Sequence, residues 1–108
     1  MNIRQIDDQF ATTGQIEPSD IKAIAEAGYK AIVCARPDDE EPGQTSFAEI
    51  ATEAERQGLK AVHIPVSGPL TEGQIIRFEQ AMAEFGRPVL GYCRSGARAG
   101  SLYAAINA

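Results

Sequence analysis

In the stretch VLGYCRSGARAG, residues 89–100, an apolar run ends at Cys93 and a loop rich in glycine and arginine follows. An apolar strand, a loop and the start of a helix form an arrangement in which backbone N–H groups converge on one point, at the positive end of the helix dipole. Such a loop attracts anions, and it favours the thiolate form of a cysteine at its base. The stretch therefore predicts a nucleophilic Cys93, with a buried and inert thiol as the alternative.

Each residue type in this loop has its own physical task. Gly96 lets the backbone curl tightly or adopt positive φ, and Ser95 adds a hydroxyl donor. Arg98 supplies a planar fork of donors that suits bidentate binding of an oxyanion, and Arg94 is expected at the rim. We predict that Cys93 and Arg98 are catalytic, and that the remaining loop residues bind the substrate anion: Arg94, Ser95, Gly96 and Ala97.

The rest of the chain alternates between strand-like and helix-like periodicity, which predicts an α/β domain with a central, mainly parallel sheet flanked by helices. The expected strands are YKAIVCA (29–35), which is predicted to be buried on both faces, LKAVHIPV (59–66) and VLGYC (89–93), and NIRQID (2–7) and QFATTG (9–14) form a hairpin or edge strands. The expected helices are EPSDIKAIAEAG (17–28), FAEIATEAERQG (47–58), GQIIRFEQAMAEFG (73–86) and RAGSLYAAINA (98–108).

The helix starts and one helical face can be predicted in more detail. Ser19 or Pro18 is expected at the start of the first helix, and Thr45 or Ser46 is expected to cap the second. The third helix carries an apolar stripe expected to face the core, made of Ile75, Ile76, Phe78, Ala81, Met82 and Phe85.

Composition limits the domain organisation and the location of the chain. Its 108 residues have the size of one domain, 1–108, and no apolar run approaches the roughly 18 residues that span a bilayer. The segment MNIRQIDDQF (1–10) lacks the basic and apolar regions of a secretory signal, so a cytoplasmic location is expected.

Charge and cysteine usage exclude several partners and cofactors. A net charge of -5 makes nucleic acid and membrane surfaces poor partners. Cys34 and Cys93 show no CxxC or Cys/His spacing, so neither a disulfide framework nor a zinc site is predicted. We expect no metal and no organic cofactor.

Several segments carry a family resemblance. YCRSGARA (92–99) resembles the active-site loop of rhodanese-type sulfurtransferases and, with one residue fewer, that of cysteine-dependent protein phosphatases. IVCARPDDEEPGQTSFAEI (32–50), HIPV (63–66) and PVLGYCRSGAR (88–98) together resemble the beta-lactamase-hydrolase-like protein, phosphatase-like domain family. The resemblance covers almost the whole chain. It implies a dual-specificity-phosphatase-like fold and a persulfide dioxygenase-like partner, because family members also occur fused to such metallohydrolase domains.

The sequence departs from the phosphatase pattern at three points. Four residues separate Cys93 from Arg98, where phosphatases of this fold have five, and Ala99 replaces their Ser or Thr. The segment SGPLTEGQ (67–74) lacks the Asp that protonates a leaving alkoxide. The acid would then be Glu72, Asp38 or Asp39, each of which is equally well interpreted as a surface charge or a helix cap.

Cys34 and Arg36 are accessory candidates. Cys34 ends its strand at the same relative place as Cys93, so a transient disulfide or a sulfur hand-off between them competes with a buried structural thiol. Arg36 either adds positive potential at the rim or pairs with Asp38, Asp39 or Glu40. The single histidine, His63, is interpreted as a half-buried structural residue.

The loop favours a rhodanese-type sulfurtransferase that forms a persulfide on Cys93, using a small sulfur-containing substrate. One alternative is a protein-tyrosine or dual-specificity-like phosphatase, a hydrolase of phosphate esters that acts through a Cys93 phosphoenzyme. The other is an oxyanion-binding or thiol redox-sensing module without catalysis.

Overall fold

A computed structural model describes residues 1–107 and contains one five-stranded sheet in this range. Its strands are β1 (Arg4–Gln5), β2 (Phe10–Thr13), β3 (Ala31–Cys34), β4 (Lys60–His63) and β5 (Val89–Tyr92). Their order across the sheet is β1-β2-β5-β3-β4, with β1 antiparallel to β2 and the other pairs parallel. The predicted N-terminal hairpin and the mainly parallel sheet are both confirmed.

The helices are α1 (Ile21–Glu26), α2 (Phe47–Arg56), α3 (Glu72–Glu84) and α4 (Ala97–Ile106). The final residue of the predicted last helix, 108, lies outside the described residues. Ser46 caps α2, since its Oγ accepts a hydrogen bond from the Glu49 N–H at 3.2 Å.

A 3₁₀ turn, Pro18–Asp20, precedes α1. Pro18 takes the first position of this turn, in agreement with one of the two predicted helix starts. The cap position falls to Glu17, so the alternative start at Ser19 is wrong.

The core lies on both faces of the sheet, because successive side chains of a strand point to opposite faces. Val89 and Cys93 on one side of the β5 segment join a cluster with Phe78 of α3 and Leu102 of α4. Leu90 and Tyr92 face the opposite side, where the buried residues of the helices are Ile21 and Ile24 of α1 and Ile50 and Ala54 of α2. The sheet is therefore covered by two layers of helices, as the continuous apolar strands predict.

The predicted stripe of α3 is confirmed only in part. Phe78, Ala81 and Met82 are buried, but Ile76 is 45% exposed and does not face the core. The buried stripe is narrower than the apolar stripe in the sequence because Ile76, two residues before Phe78, lies about 160° away from it around the helix and faces solvent.

An aromatic cluster closes one face of the sheet beside β5. The Phe10 ring stacks on Tyr103 with centroids 4.5 Å apart and meets the edge of Phe78 at 5.6 Å. A Cβ at Gly91 would lie 2.6 Å from Phe10 Cζ and 3.0 Å from the Ala99 Cβ. Glycine is required at the centre of β5 because these two side chains occupy the space beside it.

Within residues 1–107, none of the helices has the length and apolar character needed to cross a bilayer.

Candidate active site at the end of the central strand

Cys93 lies directly after β5, the middle strand of the sheet, with β2 on one side and β3 on the other. Its backbone N–H donates to the Thr13 carbonyl at 3.4 Å, and the Ala35 N–H donates to the Tyr92 carbonyl at 2.8 Å. Three parallel strands therefore end together at Cys93. The carboxyl end of such strands is where α/β folds place their ligands.

The loop after Cys93 returns sharply onto the thiol. Gly96 has φ 96°, a left-handed conformation that suits glycine, and its N–H donates to Cys93 Sγ at 3.1 Å. Helix α4 begins at the next residue, Ala97. Arg98 consequently lies in the first turn of α4, so the loop after Cys93 runs directly into the helix N-terminus.

The surroundings of Cys93 favour its thiolate. The side chain is fully buried, which raises its pKa, but the backbone N–H groups of Ala99, Ser95, Arg98 and Gly96 outweigh burial and hold the pKa below the ordinary thiol value. Charge on the sulfur is stabilised by backbone dipoles that are fixed in the fold.

Cys93 and Cys34 are expected to have distinct pH profiles of alkylation, because their surroundings shift the two thiol pKa values in opposite directions. Alkylation of Cys93 by iodoacetamide is expected to rise with pH and to reach half its maximal rate below the ordinary thiol pKa. Burial raises the pKa of Cys34 to about 11, so its alkylation in the folded protein is expected only at strongly alkaline pH. Peptide mapping after timed alkylation measures both profiles, and equal midpoints for the two thiols would contradict the assignment of a thiolate to Cys93.

The structure does not bring the two thiols to the same face of the sheet. In the β3–β5 register Cys34 lies opposite Tyr92, one residue before Cys93. Cys34 therefore belongs to the core cluster on the side of α1 and α2, whereas Cys93 belongs to the cluster on the other side. The predicted equivalence of the two strand ends is wrong by one residue, and the geometry fits a buried structural thiol at Cys34.

The Arg98 guanidinium forms a bidentate ion pair with a carboxylate of this chain. Its Nη1 and Nη2 donate to the two Glu40 oxygens at 2.6 and 3.0 Å, and Nη1 also donates to the Val66 carbonyl at 2.9 Å. The hydrogen bonds to Glu40 raise the pKa of Arg98, and neighbouring Cys93 raises it further. The guanidinium thus interacts with both the Glu40 carboxylate and the Cys93 thiol.

Arg36 is buried, with 2% of its surface exposed, and each of its three guanidinium nitrogens donates a hydrogen bond. Its Nε donates to Glu40 at 2.9 Å, its Nη2 donates to Glu41 at 3.0 Å, and its Nη1 donates to the Gln15 side chain at 3.0 Å. Of the three predicted partners only Glu40 is correct. Asp38 instead accepts a hydrogen bond from the Phe47 N–H at 2.9 Å, as a helix cap would.

Five side chains beside the loop form a charged network: Arg36, Glu40, Glu41, Arg94 and Arg98. Arg94 is exposed at the rim, as predicted, and its Nη2 lies 3.9 Å from Glu41. Cations and anions alternate through the network, in the order Arg94, Glu41, Arg36, Glu40 and Arg98. The sequence does not reveal the contact between Glu40 and Arg98, because their residues are 58 positions apart.

The proton-donor candidates do not meet at the loop. Glu72 is the exposed first residue of α3, and within residues 1–107 it makes no hydrogen bond or ion pair with the loop. Hydrogen bonds from Arg98, aided by Arg36, lower the pKa of Glu40 to about 2, so this nearer carboxylate stays ionised. His63 stacks on Phe47 and its Nε2 lies 2.8 Å from the Arg36 carbonyl oxygen, a structural role.

An open cleft of about 560 Å³ adjoins the loop on the side of the N-terminal hairpin. Thr12 and Thr13 of β2, the loop residues Ser95 and Gly96, and Arg4 of β1 contribute to its lining. Cys93 and Arg98 are not among its lining residues. The cleft has room for a small molecule next to the loop, but neither of the two predicted catalytic side chains lines it.

Within residues 1–107 no cluster of His, Cys, Asp and Glu has the composition of a metal site.

The chain is similar to known proteins in both its sequence and its fold. The family model for the beta-lactamase hydrolase-like protein, phosphatase-like domain, matches residues 2–108. The beta-lactamase hydrolase-like protein of Agrobacterium fabrum is 39% identical over 104 residues, which cover 95% of this chain and 24% of that protein. The chain thus spans about a quarter of the length of this curated relative.

Solved structures with the same architecture include a proposed phosphatase from Neisseria meningitidis. It is 33% identical, with a TM-score of 0.88 and coverage of 99% of this chain and 77% of that chain. The core catalytic domain of the PP-IP phosphatase Siw14 from S. cerevisiae has a TM-score of 0.73 at 18% identity, covering 99% and 65% of the two chains, and shows the fold alone. The predicted phosphatase-like α/β fold is confirmed.

Proposed function

Because this chain belongs to the beta-lactamase hydrolase-like protein, phosphatase-like domain family, we propose that it is a cysteine-dependent hydrolase of phosphate monoesters. The observation that carries the proposal is the loop around Cys93, in which the Gly96 N–H reaches Sγ at 3.1 Å and further amides hold the thiol pKa down. The loop sequence alone favours sulfur transfer, whereas the relatives and structural neighbours support the phosphatase alternative better.

In the proposed reaction the Cys93 thiolate attacks the phosphorus atom of the ester. The S–P bond forms while the bond from phosphorus to the ester oxygen breaks, and the alcohol or phenol oxygen leaves with the electron pair. Water then attacks the phosphorus, the S–P bond breaks, and inorganic phosphate and the thiolate are released. The loop amides and the Arg98 fork would stabilise the negative charge on the three non-bridging oxygens in both steps.

The arrangement of carboxyl groups narrows the substrate class. Glu40 stays ionised with a pKa of about 2, and Glu72 makes no contact with the loop in the described part of the chain, so neither is placed to protonate a leaving oxygen. A phenolate leaves without a proton much more readily than an alkoxide. We therefore propose aryl phosphates, or esters of comparably acidic alcohols, as the substrates.

Sulfur transfer is the second candidate, and the shape of the loop favours it. Only four residues separate Cys93 from Arg98, and the buried Ala99 provides no hydroxyl to assist departure of the cysteine from a phosphoenzyme. In this reaction the thiolate attacks the outer sulfur of thiosulfate, a new S–S bond forms, the old one breaks and sulfite leaves. An acceptor thiolate then removes the sulfur, and no general acid is required.

One pair of measurements separates the candidates. The wild type, Cys93→Ser and the matched control Cys34→Ser are mixed with thiosulfate for intact mass, and separately with an aryl phosphate for release of phosphate. Phosphate release that requires Cys93 but not Cys34 would support the proposal. Gain of one sulfur atom on Cys93 without phosphate release would overturn it in favour of sulfur transfer, and neither signal would leave a binding or sensing module.

A further inference from the structure

Glu40 binds Arg98 in the way that a substrate oxyanion would. Two parallel N–H···O contacts of 2.6 and 3.0 Å join the guanidinium to both oxygens of the carboxylate. This bidentate geometry is the one by which arginine recognises carboxylate and phosphate groups. Two of the three guanidinium nitrogens, Nη1 and Nη2, are thus engaged by a carboxylate of the chain itself.

The position of Glu40 is built into the fold. Arg36, buried beneath it, donates to the same carboxylate at 2.9 Å. The Glu40 backbone N–H donates to the Gln44 side chain at 3.0 Å, and Gln44 in turn donates to the Pro37 carbonyl at 2.9 Å. Glu40 is therefore held by its backbone and its side chain, unlike a mobile surface carboxylate.

Glu40 is also more exposed than Cys93. Cys93 is fully buried, whereas the side chains of Arg98 and Glu40 are 26% and 27% exposed. Arg98 interacts with both the thiol and Glu40. The Glu40 carboxylate therefore lies nearer the surface than the thiol, next to the guanidinium that neighbours Cys93.

We propose that Glu40 is a specificity-determining residue, which competes with the substrate oxyanion for Arg98 and so sets how strongly the site binds anions. The inference rests on the proposed function, in that it assigns Arg98 to the substrate. A dianionic group must displace Glu40 or share Arg98 with it, and like charges at this distance oppose binding. Glu40 therefore weakens binding of inorganic phosphate and of small dianionic esters, and it favours substrates whose other contacts compensate for this loss.

The test measures binding at Cys93 without turnover. Wild type and Glu40→Gln are treated with iodoacetamide over a range of inorganic phosphate concentrations, and alkylation of Cys93 is followed by peptide mapping. The amide keeps the size of the side chain and removes its charge. We expect the phosphate concentration that halves the alkylation rate to fall by about tenfold in Glu40→Gln. An equal or higher concentration would overturn the proposal.

Glu41→Gln is the matched control, because Glu41 contacts Arg36 and Arg94 but forms no ion pair with Arg98 within residues 1–107. Its half-protecting concentration is expected to change by less than about threefold, owing to screening of a more distant charge. An effect as large as that of Glu40→Gln would overturn the specific role of Glu40 in favour of general electrostatics.

Glu40→Asp keeps the charge but retracts it by one methylene, so it tests the proposal even if circular dichroism shows that Glu40→Gln is unfolded. Its half-protecting concentration is expected to fall as well, by less than in Glu40→Gln, and no fall would contradict the proposal. Absence of phosphate protection in every variant would overturn it too. Release of phosphate from an aryl ester tests the proposed function separately, since alkylation does not depend on turnover.

Discussion

Replacing Arg98 with lysine is expected to lower kcat/KM for an aryl phosphate by about 10²–10³-fold, the range found when one fixed donor to a developing oxyanion is lost. Lysine keeps the positive charge, but it cannot reproduce the two parallel donors that Arg98 presents to Glu40, nor the additional bond to Val66. A point charge on a flexible chain would pair with Glu40 and leave the substrate oxygens without an oriented donor. Steady-state kinetics with the purified variant measures the loss.

Arg94→Lys is the control for Arg98→Lys. The Arg94 side chain is 70% exposed and reaches Glu41 only at 3.9 Å. A pair of this kind contributes little, and lysine keeps both the positive charge and the backbone amide at position 94, so kcat/KM is expected to change by less than about threefold. Equal losses in both variants would show that the loop responds to net charge and not to the bidentate geometry of Arg98.

Replacing Gly91 with alanine is expected to lower the free energy of unfolding by about 1–3 kcal/mol, the usual cost of overpacking a dense core. The new Cβ would lie 2.6 Å from Phe10 Cζ and 3.0 Å from the Ala99 Cβ. The Phe10 ring cannot move away freely, because Tyr103 and Phe78 hold it on two sides. Urea denaturation followed by circular dichroism measures the change.

Gly68→Ala is the matched substitution for Gly91→Ala. A Cβ at Gly68 would meet no atom within 4 Å, and the residue is exposed. Its effect on the free energy of unfolding is expected to stay within about 0.5 kcal/mol. If Gly91→Ala were as mild as this control, the aromatic cluster would be less tightly packed than the distances indicate.

Much of the fold follows from local signals in the sequence. Continuous apolar runs such as AIVC and VLGY predict strands buried on both faces, and the structure places them as β3 and β5 at the centre of the sheet. The position of Cys93 between a strand and a helix also follows from the local pattern, because Gly96 marks the turn in which the chain reverses.

The features that local patterns do not predict depend on contacts between distant segments. The pairing of Glu40 with Arg98 requires the loop after β3 to reach the start of α4, which no local periodicity encodes. Likewise, whether Cys34 and Cys93 share a face depends on a one-residue difference in strand register, and a shift of one residue reverses the face of a side chain. The sequence also does not predict the burial of Arg36, since an arginine that follows a strand is usually a surface residue.

The loop after β5 and the loop after β3 are expected to differ in how well they tolerate amino-acid substitution, because β5 lies at the centre of the sheet. The amides around Cys93 are joined to a strand with neighbours on both sides, so altering them disturbs the whole sheet. Glu40 and Glu41, in contrast, lie on a surface loop between β3 and α2. If Glu40 acts as proposed, variation in that loop would alter anion binding near Cys93 and leave the loop amides unchanged, since surface loops tolerate change better than the strands that carry them.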